Sequence, residues 1–487
     1  MRRREFLKVM GASAVSLVVG EIGGKVVQAV GSGGSKPNIV LILVDDMGWS
    51  DVVCNVDNRY FETPNIDKLA SEGMRFTNAY AACAVCSPTR ASIMTGRYPA
   101  RIGITDWIRP TEATVNPQGY EGDASKEVLC PKNYVFLEPE EVTIAEILRP
   151  HGYTSSHVGK WHLGGSSFYP TVQGFDYNIG GTSAGQPPRY FDPYNIATLP
   201  NRSAGEYLTD RESDEAVGFI QNALNQGKPF FLYMAHYAVH SPIQAKSDII
   251  AKYDAKTKPP DLSTSSKYAA MVQSVDEAVG TIMSKLDELG VRDNTVVIFT
   301  SDNGGESAFT DNAPLRAGKG YPYEGGIREP WIVRWPGVVE AASTCDEPVI
   351  TVDIMPTICE VLGMRLPAGR LIDGESIVPL LKQTGSLRRK ELFWHFPHYR
   401  YSQEVPYSII RRGDWKLIKR YSGDKIYELF NLKDDPYEQD NLAAAKPAKV
   451  KQLEERLAIW LRHTNAKMPK PNPDYINKGE RKRVRVR

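Results

Sequence analysis

Short, nearly unbroken runs of apolar residues recur along the chain, and such runs are typical of strands that are covered on both faces of a sheet. Strands are predicted in this way over 39–44, 230–235, 296–300 and 331–335. Helical patterns lie between them over 142–148 and 268–289, the second of which Gly290 closes. Strands that alternate with helices predict an α/β fold built on a doubly wound, mixed and mostly parallel sheet.

Polar residues follow three of these strands and a weaker strand predicted over 154–158. In an open α/β sheet, ligands bind beyond the carboxyl ends of the strands, so we expect these polar residues to share one edge. The four clusters contain Asp45 and Asp46, Lys160 and His162, His236 and His240, and Asp302 and Asn303. We interpret His236 as structural and the others as candidates for a site.

Two of the clusters, at Asp45 and Asp46 and at Asp302 and Asn303, offer oxygen ligands only. Hard cations such as Ca²⁺ and Mg²⁺ prefer oxygen, whereas zinc prefers nitrogen and sulfur. Either pair alone fits a helix cap or an Asx turn equally well. Two such pairs at two strand ends favour a calcium-type site, with Mg²⁺ as the alternative ion.

The stretch ACAVCSPTR, residues 82–90, contains two cysteines and two competing patterns. Counted from Cys83 it is C-x-x-C, which is typical of redox dithiols and zinc sites. The strand pattern of a thioredoxin-like unit is missing around it, and a zinc site would need a second ligand pair at comparable spacing. Counted from Cys86 it is C-x-P-x-R, and this pattern is favoured, with Cys83 as a packed small residue. The six cysteines show no compact, repeated spacing, which argues against a disulfide scaffold.

The segment CSPTRASIMTGR, residues 86–97, resembles the signature of the type I sulfatases, in which the cysteine is oxidised to formylglycine. The resemblance extends over about 38–442 and implies an alkaline-phosphatase-like fold with a smaller C-terminal antiparallel sheet. It implies a divalent-metal site whose ligands are Asp45, Asp46, Asp302, Asn303 and the modified Cys86. It also implies a set of groups around formylglycine and sulfate, namely Arg90, Lys160, His162, His240 and Lys319.

The chemistry implied by the resemblance is hydrolysis of a sulfate monoester by S–O cleavage. A thiolate suits a hard cation poorly, whereas an aldehyde hydrate supplies oxygen. Ca²⁺, Lys160 and Lys319 would hold the nonbridging sulfate oxygens, and His240 or Lys319 would protonate the leaving oxygen. His162 would take the proton that lets the aldehyde reform, and Arg90 would steady the hydrate.

Both ends of the chain carry basic residues. Residues 3–8, RREFLK, precede a short apolar run over 9–19 and resemble a twin-arginine export signal, with cleavage near 27–29. This predicts a bacterial periplasmic or secreted protein with two partners, the twin-arginine export machinery and a formylglycine-generating maturation enzyme. The run is too short for a stable membrane span. A net charge of +1 argues against a nucleic-acid partner, and the basic end at 478–487 is read as a solvated tail.

Three further regions are predicted: a catalytic α/β domain over 36–380, a C-terminal α+β subdomain over 381–470 and a tail over 471–487. The subdomain contains a hairpin pattern over 415–432 and a helix over 450–461. The aromatic segment 394–401 fits either the wall of a sugar pocket or core packing.

The predicted function is therefore a sulfatase that acts on a sulfated sugar or oligosaccharide. A phosphatase or phosphodiesterase of the same fold is one alternative, and it would bind zinc through several His and Asp residues. A non-enzymatic protein that binds sulfated glycans and leaves Cys86 unmodified is the other.

Overall fold

The computed structural model describes residues 36–56, 60–401 and 404–476, so the predicted export signal and most of the basic tail lie outside the described residues. The strands are β1 (Asn38–Val44), β2 (Met74–Phe76), β3 (Ala79–Tyr80), β4 (Tyr120–Glu121), β5 (Val128–Pro131), β6 (Thr154–Gly159), β7 (Tyr177–Ile179), β8 (Phe230–Ala235), β9 (Thr295–Ser301), β10 (Trp331–Arg334), β11 (Ser343–Cys345), β12 (Val349–Ile350), β13 (Glu391–Phe396), β14 (Tyr407–Arg412), β15 (Trp415–Arg420), β16 (Tyr427–Asn431) and β17 (Lys470–Pro471). The α-helices are α1 (Pro64–Ser71), α2 (Cys86–Thr95), α3 (Pro99–Ile102), α4 (Ile144–Leu148), α5 (Leu208–Asn225), α6 (Ser247–Ala255), α7 (Ser266–Glu288), α8 (Glu324–Ile327), α9 (Ile354–Val361), α10 (Val378–Leu381) and α11 (Pro447–His463).

The main sheet has eight strands in the order β11-β2-β10-β9-β1-β8-β6-β7. The run from β9 through β1, β8 and β6 to β7 is parallel, and so is the pair of β11 with β2. Strand β10 is antiparallel to both of its neighbours. The predicted α/β class with a mixed, mostly parallel sheet is confirmed.

Helices cover both faces of this sheet. The side chains of β1 alternate between two apolar layers, because successive residues of a strand point to opposite faces. Val40, Ile42 and Val44 join a layer that includes α5 and α7, whereas Ile39 and Leu41 join the layer that includes α2 and α9. All seven residues of β1 are buried, which explains its unbroken apolar sequence.

The smaller C-terminal sheet is antiparallel, with β13, β14, β15 and β16 in sequence order. Helix α11 packs its Leu453 and Leu457 into the apolar cluster of this sheet. The buried Lys416 ammonium of β15 lies 2.9 Å from Glu324 of α8 and 2.8 Å from Glu438. Ion pairs as well as apolar contacts therefore connect the smaller sheet to α8. The predicted hairpin and helix are confirmed.

Two further features of the described residues concern the cysteines and the helices. All six cysteines are free thiols. Within 36–56, 60–401 and 404–476, the helices are too short or too polar to pass through a lipid bilayer.

His395 of β13 illustrates how the fold responds to acid. Its ring is 4% exposed and lies between the Ser408 hydroxyl, at 2.7 Å, and the Lys467 carbonyl, at 3.1 Å. Burial lowers the pKa of His395 from 6.5 to about 4. Because the folded pKa lies below the unfolded pKa, His395 stabilises the fold fully above pH 6.5 and loses that contribution as the pH falls toward 4.

We expect His395→Gln to flatten the decline of unfolding free energy between about pH 6.5 and 4, by roughly 1–3 kcal/mol. Urea unfolding across that pH range measures the change. The exposed His151 supplies the matched control, and His151→Gln is expected to leave the profile as it is. If the unfolding free energy of His395→Gln declined with acid as steeply as that of the wild type, His395 would not be the group responsible.

Candidate active site

The carboxyl ends of the adjacent parallel strands β9, β1, β8 and β6 bring the four predicted polar clusters to one edge of the sheet. Asp45 and Asp46 follow β1, and Asp302 and Asn303 follow β9. The Asp46 N–H donates to Asp302 Oδ1 at 3.2 Å, and Asn303 Nδ2 donates to Asp46 Oδ1 at 2.8 Å. All four side chains are buried, so the structure brings the predicted oxygen ligands together.

Backbone geometry at this edge is unusual in two places. Asp46 has a φ of 61°, in the left-handed region that non-glycine residues occupy at a cost of about 1 kcal/mol. Gly304 directly follows Asn303, and a Cβ there would lie 1.9 Å from the Gly325 carbonyl oxygen. The Asn303 turn therefore requires a glycine after it.

Cys86 is the first residue of α2, and its Sγ lies 4.0 Å from Asp46 Oδ1. Within the described chain, the ligand atoms of Asp45, Asp46, Cys86 and Asp302 lie within 4.8 Å of one another, and so do those of Asp46, Cys86 and His240. Cys83 belongs to neither group. It packs in the apolar cluster of the smaller sheet, in agreement with its interpretation as a packed residue.

The side chains at this edge fit a hard divalent cation. Asp45 Oδ1 and Asn303 Oδ1 are buried and accept no hydrogen bond within the described structure, so both have a free lone pair at the cluster. Burial raises the pKa of the Cys86 thiol to about 12, so the free thiol is protonated at neutral pH. An oxygen in place of that sulfur matches the preferences of Ca²⁺ and Mg²⁺ better.

Three buried cations balance the carboxylates. Lys160 Nζ donates to Asp45 Oδ2 at 2.6 Å, and Lys319 Nζ donates to Asp46 Oδ2 at 2.6 Å. Arg90 Nε donates to Asp302 Oδ2 at 2.8 Å, and its Nη2 lies 3.6 Å from Asp45 Oδ1. With three carboxylates and three cations the cluster is neutral, so a bound divalent cation would give it a charge of about +2, which favours an anionic ligand.

Asp46 and Lys319 stabilise each other's charged forms. Burial raises the pKa of Asp46, but Lys319, together with His240 and Lys160, outweighs that effect and holds it below its usual range. Burial lowers the pKa of Lys319, but Asp46 outweighs that effect and holds it above its usual range. Both groups are therefore ionised at neutral pH.

The His162 ring is held in one tautomer. Its Nε2 lies 2.6 Å from the Ile108 carbonyl oxygen, which can only accept, so Nε2 carries the hydrogen. Its Nδ1 is buried without a hydrogen-bond partner and is free to accept a proton. Burial lowers the pKa of His162 well below its usual value, and its φ of 59° is again in the left-handed region.

His240 sits at the mouth of the cluster with its side chain 14% exposed. Its Nδ1 donates to the Ser241 carbonyl at 2.9 Å, and its Nε2 lies 3.6 Å from Asp46 Oδ2. His236 is different, because its Nδ1 pairs with the buried Glu212 carboxylate at 2.9 Å and lies outside both ligand groups. This agrees with the structural interpretation of His236.

Comparison with known proteins identifies the family. Residues 37–364 match the family described as Sulfatase, and residues 317–466 match a family described as N-sulphoglucosamine sulphohydrolase, C-terminal. The chain belongs to the sulfatase family. Its predicted class, sulfuric ester hydrolase, is confirmed.

Individual relatives are similar to this sulfatase over most of their length. A sulfatase of Formosa agariphila is 33% identical over 91% of the chain and 94% of the relative. Human N-acetylgalactosamine-6-sulfatase is 34% identical over 74% of the chain and 68% of the relative. The crystal structure of Ps i-CgsB in complex with k-i-k-neocarrahexaose superposes with a TM-score of 0.74 and 29% identity, covering 93% of the chain and 97% of that chain.

Some contacts of this sulfatase site have no signal in the sequence. The Ile108 carbonyl that orients His162 comes from the segment between α3 and β4, which does not follow a strand. Gly185 packs on the same ring, and a Cβ there would lie 2.6 Å from His162 Cε1. A backbone acceptor and a glycine carry no chemical motif, so only the folded chain reveals them.

Proposed function

We propose that this sulfatase hydrolyses sulfate monoesters of sulfated carbohydrates, with Cys86 matured to formylglycine and one Ca²⁺ held by Asp45, Asp46, Asp302 and Asn303. One observation carries the proposal. The buried, oxygen-only cluster has free lone pairs on Asp45 and Asn303 and lies against the first residue of the C-x-P-x-R helix. Mg²⁺ is the alternative ion for the same ligand set.

Relatives support a carbohydrate substrate. One is named an N-acetylgalactosamine-6-sulfatase, and the Ps i-CgsB structure contains a neocarrahexaose. Another structure, of BT4656, contains D-glucosamine-2-N,6-O-disulfate, but at 24% identity it supports the fold alone. We therefore propose a sulfated sugar or oligosaccharide as the substrate class.

The chain's own residues supply binding and proton transfer. Lys160 and Lys319 lie at the cluster with their ammonium groups buried, where they would bind the nonbridging oxygens of a sulfate ester. His162 Nδ1 would accept a proton, since its Nε2 hydrogen is already engaged by Ile108. His240 or Lys319 would protonate the leaving alcohol oxygen. When present, the cation supplies positive charge for sulfate oxygens and formylglycine supplies an oxygen nucleophile.

Arg90 would support the site from behind. Besides its carboxylate contacts, its Nη1 donates to the Lys160 carbonyl at 2.8 Å, so one guanidinium joins the ends of β9, β1 and β6. We propose that Arg90 has two roles: it connects these strand ends, and it steadies the hydrate formed at residue 86. The proposed maturation enzyme, the twin-arginine export route and a periplasmic or secreted location rest on the sequence motifs.

The rival on the same fold is a phosphatase or phosphodiesterase. It predicts zinc bound by several histidines, whereas the ligand groups of the described residues include one histidine, His240. A phosphonate monoester hydrolase superposes with a TM-score of 0.63 at 20% identity, which shows the shared fold alone.

The direct test uses protein matured in a host that makes formylglycine. Conversion of Cys86 lowers the mass of its peptide by about 18 Da, because the side chain loses sulfur and two hydrogens and gains one oxygen. We expect that loss, calcium in metal analysis, and hydrolysis of sulfated sugars. Tightly bound zinc with an unmodified Cys86 would favour the phosphatase, whereas an unmodified Cys86 with sugar binding and no turnover would favour a binding protein.

Gly185 offers a test of His162 that leaves the imidazole in place. Gly185→Ala puts a methyl group against the His162 ring, and a displacement of about 1 Å is expected to lower kcat by about 10- to 100-fold. Steady-state kinetics on a sulfate ester measures the change. Gly218→Ala in α5, where a Cβ meets nothing within 4 Å, is the matched control. Full kcat in Gly185→Ala would show that the position of the ring is unimportant.

A further inference from the structure

We propose that Asp106 and Arg400 form a specificity-determining pair that binds neighbouring hydroxyl groups of the sulfated sugar ring. This inference rests on the proposed sulfatase function and concerns the part of the substrate next to the ester. Neither residue stands in a recognisable motif, and they are 294 positions apart in the numbering. The fold brings both to the rim of the active site.

The loop that carries Asp106 is anchored to two parts of the site. The Ile108 N–H donates to the Ser87 hydroxyl at 3.0 Å, directly beside Cys86, and the Ile108 carbonyl holds His162. The N–H groups of Thr105 and Asp106 both donate to Asn133 Oδ1, at 2.7 and 3.0 Å. Asp106 is therefore held two residues from a direct contact with the site.

Arg400 reaches the same rim from the segment after β13. Its side chain lies over Gly320, where a Cβ would meet Arg400 Cγ at 3.0 Å and Tyr401 Cε2 at 2.9 Å. The Tyr401 hydroxyl donates to the Lys319 carbonyl at 3.2 Å, and the Arg400 guanidinium lies 4.8 Å from the Tyr401 ring centre. Arg400 is thus fixed next to the backbone of Lys319.

The aromatic segment 394–401 has two parts, one in the core and one beside Lys319. Trp394 and Phe396 of β13 are at most 2% exposed and belong to the core, as one of the two interpretations predicts. His398 is also buried, and its Nε2 lies 2.8 Å from the Thr105 hydroxyl, which ties this segment to the Asp106 loop. The end of the segment, with Arg400 and Tyr401, instead contacts Gly320 and the Lys319 carbonyl.

The Arg400 guanidinium has an unused hydrogen-bond donor. Arg400 Nε is buried without a hydrogen-bond partner, and neither Arg400 nor Asp106 has an ion pair within 4.0 Å among the described residues. Asp106 Oδ1 accepts the Trp107 N–H at 2.8 Å. The opposite charges interact through space, since Arg400 offsets part of the pKa rise that burial causes at Asp106.

An acceptor and a donor on two segments that the Thr105–His398 contact ties together match vicinal sugar hydroxyls. One hydroxyl donates to the Asp106 carboxylate while its neighbour accepts from the Arg400 guanidinium, and both bonds are charge-assisted. A second anionic group on the sugar would be attracted by Arg400 but repelled by Asp106. An aryl sulfate has no hydroxyls there and leaves both groups without a partner.

The experiment compares one sulfated monosaccharide with 4-nitrophenyl sulfate in matured wild type, Arg400→Ala and Asp106→Asn. We expect each variant to lose about 10- to 100-fold in kcat/KM on the sugar, mainly through KM, and at most about threefold on the aryl ester. Arg365→Ala, an exposed arginine in the segment after α9, is the control and is expected to keep both activities. Removing the neighbouring hydroxyl from the sugar should penalise wild type and leave the variants unchanged.

Binding supplies a readout that does not depend on turnover. In a Cys86→Ala background, calorimetry with the sulfated monosaccharide should show affinity reduced about tenfold by Asp106→Asn, an isosteric change that keeps the loop's shape. Equal losses on sugar and aryl esters, or unchanged sugar affinity, would overturn the assignment. If wild type hydrolyses neither ester class, the proposed function fails and this inference falls with it.

Discussion

Cys86→Ala is expected to abolish hydrolysis of sulfate esters, by on the order of 10⁴-fold or more, because the variant has no side chain from which the proposed nucleophile can be made. Fold and stability should be nearly kept. Cys86 is 2% exposed and makes one long contact, 4.0 Å to Asp46 Oδ1, so the cost of removing its sulfur is about 1–2 kcal/mol. Turnover of a sulfate ester, followed together with thermal unfolding, measures both effects.

Cys83→Ala is the matched control, since Cys83 is a second buried cysteine of the same stretch and lies outside the ligand groups. It should retain turnover and the mass loss of about 18 Da at Cys86. Residual hydrolysis by Cys86→Ala at a rate near that of the wild type would refute the assignment of the nucleophile. A loss of activity in Cys83→Ala at unchanged stability would reopen the C-x-x-C interpretation.

The strand ends were predictable because their chemistry is local. An apolar strand followed at once by Asp45 and Asp46 signals a buried strand that stops at a polar edge, and parallel neighbours place all such ends together. Asp302 and Asn303 were predicted in the same way, because they follow the apolar strand β9. Lys160 and His162 follow β6 in the same way, and the structure brings them to the cluster as well.

Other parts of the site and fold depend on long-range packing. The apolar run of β10 looks like that of β1, and only its pairing with β9 and β2 reveals that it is antiparallel. Arg400 and Asp106 lie in segments whose local pattern says nothing of their distance from Cys86. The left-handed φ of Asp46 is equally invisible in the sequence, because few aspartates adopt that conformation even though aspartate does so more often than most residues.

Removal of one carboxylate should show how tightly metal binding and stability are connected. Asp45 pairs with Lys160 at 2.6 Å and lies 3.6 Å from Arg90, and all three side chains are at most 1% exposed. Asp45→Ala leaves the Lys160 ammonium buried without its carboxylate, which costs about 3–5 kcal/mol of unfolding free energy. It also removes one of the proposed cation ligands, so we expect calcium binding and turnover to be lost. Urea unfolding with and without EDTA measures the stability effects.

Chelation distinguishes the stability lost with the metal from the stability lost with the Asp45–Lys160 ion pair. EDTA should destabilise the wild type, since a ligand that binds only the folded state adds RT ln(1 + [L]/Kd), and should leave Asp45→Ala unchanged. Adding Lys160→Met to Asp45→Ala removes the unpaired charge and should restore part of the stability without restoring the metal. If EDTA lowers the stability of wild type and Asp45→Ala equally, Asp45 is not a ligand. If the double variant is no more stable than Asp45→Ala, the cost comes from lost packing instead of the stranded ammonium.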